Sequence, residues 1–248
     1  VRENTDDLYV KEEKIFENDS VNLQANSTHI IVPDWTDPNL GAVTIYIDTG
    51  NNGTIDDSTY IFNQVSSAMQ LNLTMFIEGF YNSGSNAQNS DTITVYLRSI
   101  VSPFAKVDSA KGVVTANGSA SLLFNNASGG TYYLALTHRN SIETWCATGI
   151  TVNAGRSVNY DLSSSASQAF GSNMKQADSS PVRFAIYSGD VNQDGTIDAS
   201  DVSETDNDAF SSVSGYVRTD VTGDDFVDAG DVSIVDNNAF NAVSVVTP

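Results

Sequence analysis

Apolar and polar residues alternate along much of the first three quarters of the chain. Runs of this kind cover residues 42–48, 70–77, 91–100, 119–124, 131–137, 149–152, 157–162 and 182–187. A period of two puts every second side chain on one face of a strand, so each run predicts a half-buried β-strand. Gly, Asn and Ser gather between the runs, at residues 82–89, at Asn117-Gly118 and at Ser128-Gly129-Gly130. These are turn residues, and short strands with such punctuation predict a mainly β protein of one or two β-sandwiches. Residues 164–176 leave the alternation and predict a short helix. Residues 8–16 are charged yet alternate, and predict a strand in a unit otherwise short of strands. The pattern shifts near residues 64–67, which divides residues 1–65, an N-terminal β unit, from residues 66–187, the sandwich domain.

Beyond residue 188 the alternation gives way to acid. The 248 residues carry 31 Asp and Glu against 11 Lys and Arg, a formal charge of −20. From Ser188 to Pro248 there are 13 acidic residues and one basic residue, Arg218, so more than half the charge lies in a quarter of the chain. The spacing turns that acidity into chemistry. In Asp190-Val191-Asn192-Gln193-Asp194-Gly195-Thr196-Ile197-Asp198-Ala199-Ser200-Asp201, oxygen donors fall at positions 1, 3, 5, 7, 9 and 12 of a calcium loop. The donors are Asp190, Asn192, Asp194, Thr196 through its carbonyl, Asp198 and Asp201; Gly195 takes the sharp turn, and Ile197 is apolar to pair with a sister loop. Thirty residues on, Asp220, Thr222, Asp224, Phe226, Asp228 and Asp231 fall at the same positions. Residues 190–210 and 220–240 share 12 of 21 identities, an internal duplication. Like charges crowded this closely repel unless a divalent cation sits among them. Two Ca2+ sites are therefore expected, the second weaker because Thr222 replaces an amide and Asp225 replaces the turn glycine. A short helix is expected after each loop, with Val202, Ala209 and Phe210, and Val232, Ala239 and Phe240, available for burial.

The duplicated loop–helix unit, with Asp rather than Glu at position 12 and no helix before the first loop, resembles a dockerin module. The run from Gly189 to Asp198 carries the likeness, which covers residues 190–240 and makes 188–248 a third domain. That resemblance implies a small helical module folded by two calcium ions, with a helix surface that binds a cohesin-like partner. The loop positions involved in partner choice hold Ala199-Ser200 and Ala229-Gly230 here. Together with the strands, this gives a mainly β protein: Ig-like or transthyretin-like sandwiches plus a small α-helical, dockerin-like calcium module. The sandwich also resembles the C-terminal part of large secreted bacterial proteins. That likeness is carried by Phe76-Ile77-Glu78-Gly79-Phe80-Tyr81-Asn82, by His138-Arg139-Asn140-Ser141-Ile142-Glu143-Thr144 and by Gly171-Ser172-Asn173-Met174-Lys175-Gln176.

Composition narrows the function further. An excess of acid argues against nucleic acid and anionic membranes. No apolar run approaches the roughly 20 residues of a membrane span. Cys146 is the single cysteine, so no internal disulfide exists. The chain opens at Val1, which reads as a processed or excised segment. Asp48–Asp57 looks like a degenerate calcium loop, with a hairpin turn as the simpler reading. His138, Arg139, Glu143 and Cys146 allow a Cys/His pair, and Glu78 with Glu143 a carboxylate pair, but a structural loop and structural hydrogen bonds explain both better. Trp35, Trp145 and Tyr132-Tyr133 are candidates for sugar stacking and equally for core. Asn-x-Ser/Thr sequons stand at Asn18, Asn26, Asn52, Asn72, Asn117 and Asn126, and Asp-Ser/Thr-aliphatic triplets include Asp91-Thr92-Ile93 and Asp108-Ser109-Ala110. The expected function is a non-catalytic, extracellular or cell-surface structural protein that binds calcium. Its partner is either copies of itself, as in a surface filament or pilus-like fibre, or a cohesin-like domain, with glycan as a further ligand. The alternative is an accessory, glycan-binding or scaffold-attaching part of a secreted hydrolase complex.

Overall fold

A computed structural model describes residues 43–47, 57–61, 68–153 and 155–248. The chain divides into two compact units, Val1–Ser66 and Ser67–Pro248. In the first, β1 (Val43–Ile47) pairs antiparallel with β2 (Asp57–Ile61), Val43 opposite Ile61 and Ile47 opposite Asp57. The strand expected at 8–16, Trp35, the connection 48–56 and Asn18, Asn26 and Asn52 lie outside the described residues.

The second unit is a β-sandwich. One sheet holds β7 (Lys106–Val114), β6 (Asp91–Ser99), β9 (Gly130–His138) and β10 (Ser141–Trp145), with β11 (Ile150–Val152) also on β9. The other holds β12 (Ser157–Asp161), β3 (Met69–Thr74) and β8 (Ser119–Phe124), with β12 parallel to β3 and β8 antiparallel to it. Two small hairpins, β4 (Tyr81–Asn82) with β5 (Ala87–Gln88) and β13 (Lys175–Ser179) with β14 (Val182–Ala185), complete it. Alternation does what it should in β3, β6 and β8: Met69, Leu71, Leu73, Ile93, Val95, Leu97, Leu122 and Phe124 all point into one buried core. Each such side chain contributes roughly 1.5–3 kcal/mol on burial. The protein is mainly β.

Three expectations need correction, and one strand, β7, lies outside the alternating runs. Residues 164–176 do not make a helix: two 3-10 turns, Ala166–Gln168 and Phe170–Ser172, lead directly into β13. The run after His138 is not a loop but β10, and it escapes the alternation because both its faces are covered. β7 went unpredicted because its pattern is inverted: Asp108 and Ala110 face inward, while Val107 and Val113 face solvent. Asp108 repays its burial by accepting from the backbone N–H groups of Asn126 and Ala127, at 2.8 and 3.1 Å. Finally, Phe210 and Phe240 are 92% and 90% exposed rather than buried.

The helices themselves are α1 (Ala199–Phe210) and α2 (Ala229–Phe240), packed on each other. Asp198 and Asp228 cap them, and Asp201 and Asp231 close the capping boxes by accepting from the cap residues' N–H groups. A second core joins Val191, Ile197, Val221, Val235 and Val243 to Ile142, which comes from β10. The helix pair is thus built onto the sandwich.

Candidate functional site: the two acidic loops

The two loops have the same internal wiring. Position 1 accepts from the N–H groups of positions 5 and 6: Asp190 from Asp194 and Gly195, Asp220 from Asp224 and Asp225, all within 3.1–3.3 Å. Position 5 accepts from position 7, Asp194 from Thr196 and Asp224 from Phe226, both at 3.0 Å. Position 12 turns back on positions 2 and 3. Asp201 accepts from Val191 and Asn192 at 2.9 and 3.1 Å, and Asp231 from Val221 and Thr222 at 2.8 and 2.9 Å. Position 9, Asp198 or Asp228, caps the following helix. The carbonyl donors Thr196 and Phe226 form isolated bridges, to Ser244 and Ser214. Position 8 does not pair with the sister loop. Instead Ile197 N–H donates to Val243 O and Val227 N–H to Val213 O, so each loop is tied to the segment after the other helix.

Differences between the loops follow the sequence. At position 6 Gly195 has φ +91°, a conformation free to glycine. Asp225 stands at φ +68° in the second loop, where a side chain makes the same conformation costlier. At position 3, Asn192 Oδ1 accepts from Asp194 N–H at 2.8 Å, whereas the Thr222 hydroxyl donates to Asp220 Oδ1 at 3.3 Å.

The four carboxylates at positions 1 and 12 are buried: Asp190 is 3% exposed, and Asp201, Asp220 and Asp231 are fully inaccessible. Burial first, and the neighbouring Asp201 charge second, push the Asp190 carboxyl up to about 6. Burial also raises Asp201 and Asp231. Among the described residues, ion pairs reach only Asp220 of these four. Buried charge without a counter-charge is costly, and an all-oxygen donor set suits a hard divalent cation. The side chains as placed do not gather around one point. Among the described residues no group of three His, Cys, Asp or Glu is placed to hold a metal ion, and the loop carboxylates accept from backbone N–H groups instead.

The sandwich grips the second loop from three sides. Arg139 reaches Asp220 Oδ2 through Nη2 at 3.3 Å and Asp91 through Nε at 2.9 Å. Asn140 Nδ2 donates to Asp220 O at 2.7 Å, and Asn89 Nδ2 to Gly223 O at 2.9 Å. Gly79 lies so close that a Cβ there would come 2.0 Å from Val221 O. Around the first loop, Gln193 Nε2 donates to Ser141 O, Asn173 Nδ2 to Ser244 O, and Asn238 Nδ2 to Glu78 and Ser188 O. These contacts had no signal in local sequence, since each joins residues far apart in the chain.

The other candidates are not brought together as chemistry. His138 bonds Asp91 and Ser141, while the Cys146 thiol accepts from Leu134 N–H and is pushed up to about 11 by burial. Glu78 pairs with Lys175, and Glu143 pairs with Arg98 and accepts from Trp145 Nε1. Trp145 and Tyr132 are core residues, and Tyr133 packs edge-on against Trp145 and Phe170. Of the described sequons, Asn72 donates to Asn159 within the β12–β3–β8 face, Asn126 donates to Asp108, and Asn117 sits exposed in a turn. Among the described residues no helix is long and apolar enough to cross a membrane.

No family model and no curated protein matches the chain. Solved structures similar to it include two interface mutants of a type II cohesin–X–dockerin complex from Acetivibrio cellulolyticus. For the C-terminal interface mutant the identity is 18% over 68% of this chain and 94% of that chain, with a TM-score of 0.41. For the N-terminal interface mutant it is 17% over 69% and 94%, with a TM-score of 0.38.

Proposed function

We propose that the chain is a non-catalytic, extracellular structural protein whose C-terminal acidic loops bind two Ca2+ ions and stiffen a β-sandwich for assembly with a protein partner. The observation that carries this is the duplicated loop: two buried carboxylates in each of two similarly wired loops, fused to the sandwich core through Ile142. Calcium would be held by Asp190, Asn192, Asp194, Asp198 and Asp201 with the Thr196 carbonyl, and by the matching set from Asp220 to Asp231. It would supply counter-charge that the first loop lacks among the described residues and the second has only through Arg139, drawing in oxygens that now face the backbone. A module fused in this way transmits force as one body, which suits a filament subunit better than a tethered adaptor. Electron microscopy of native material tests the reading: fibres in calcium that loosen in chelator are expected, and monodisperse single particles in both conditions would contradict assembly with copies of itself.

A further inference from the structure

The two loops match in wiring but not in what faces their first ligand position. Among the described residues no Lys, Arg or His forms an ion pair with Asp190. Asp220 instead faces a cation, the Arg139 guanidinium, with Nη2 3.3 Å from Oδ2. That guanidinium is held through two of its three nitrogens and by two rings, while Nη1 is buried without a hydrogen-bond partner. Its Nε donates to Asp91, its Cζ lies 4.4 Å from the Tyr216 ring centre and 5.5 Å from that of Phe80, and its side chain is 14% exposed. Tyr216 is itself pinned by its hydroxyl, which donates to Asp91 Oδ1 at 2.6 Å. An arginine on a loose surface swings away when a metal arrives; this one is fixed by a carboxylate and two rings.

We propose that Arg139, supplied by the turn between β9 and β10, is a built-in counter-cation of the second loop and lowers its calcium affinity beyond what Thr222 and Asp225 alone would do. The inference rests on the calcium reading of the loops. A fixed positive charge next to the position-1 carboxylate takes up part of its field and repels an incoming divalent ion. Among the described residues the first loop has no such guest, so it fills first and the second fills only at higher calcium. Arg139 is a positioning residue: it fixes Asp220 and its charge without being a ligand.

Calorimetric titration of the whole chain with calcium chloride tests this. Wild type is expected to show a tight and a weak binding event, with Asp194→Ala abolishing the tight one and Asp224→Ala the weak one. Arg139→Gln should tighten the weak event by about tenfold and leave the tight one unchanged. Arg139→Lys keeps the charge and should leave both events near wild type. If the Gln variant fails to fold, Arg139→Met, which retains the stem packed on Phe80 and Tyr216, carries the same expectation. Two-site binding with an unchanged or weakened second event in the Gln or Met variant overturns the inference alone, as does a Lys variant that tightens as much as the Gln variant. No calcium uptake by wild type overturns the calcium reading and this inference with it.

Discussion

Asp91 accepts from His138, Arg139 and Tyr216 side chains and from Thr92 N–H, although it is only 6% exposed. Burial opposes its charge, but the donors from His138, Tyr216 and Arg139 outweigh it and hold the carboxyl well below the usual range. Because the folded form is the stronger acid, its stabilisation is present above the unfolded value of about 3.9 and is lost as pH falls below it. Asp91→Asn should therefore cost about 3 kcal/mol at pH 7, with the gap to wild type narrowing below about pH 4 in urea denaturation. A constant gap across that range would mean the carboxylate charge does not matter. Nothing in the local sequence announces this residue. It reads as the first position of a strand, and its partner His138 lies 47 residues away.

At the scale of elements, legibility followed periodicity. β3, β6 and β8 show one buried face and one wet face, so alternation identifies them. β10 is covered on both faces, by the sandwich and by Ile142's neighbours in the second core, and a doubly buried strand loses its period. In α1 and α2 the inward positions are Asp201 and Thr205, and Asp231, Val235 and Asn238, so polar groups occupy the stripe that the terminal Phe residues were expected to extend. The two loop–helix units were legible as a repeat because the spacing of their acidic residues is local. Their attachment was not, although the three segments likened to secreted bacterial proteins supply it through Glu78 and Gly79, Arg139 to Ile142, and Asn173. That attachment depends on close approach. Gly79→Ala would drive a Cβ into the Val221 carbonyl, which as backbone yields little, and should lower stability by about 1–3 kcal/mol. Gly84→Ala, on an exposed turn, serves as the control; equal stability of the two variants in denaturant would remove Gly79 from the interface.

The whole molecule carries −20, and its C-terminal quarter holds more than half of that charge. Two calcium ions would reduce the total to −16 and place the relief among the buried carboxylates. Because the second core includes Ile142 of the sandwich, cation binding in the loops should stabilise residues 68–248 as a body rather than a separate tail. The most direct test is thermal melting of the whole chain at neutral pH, in millimolar calcium and in excess chelator. The account predicts a melting temperature lower by about 10 °C or more in chelator, from two sites filled well above their dissociation constants. Superimposable melting curves in the two conditions would contradict it.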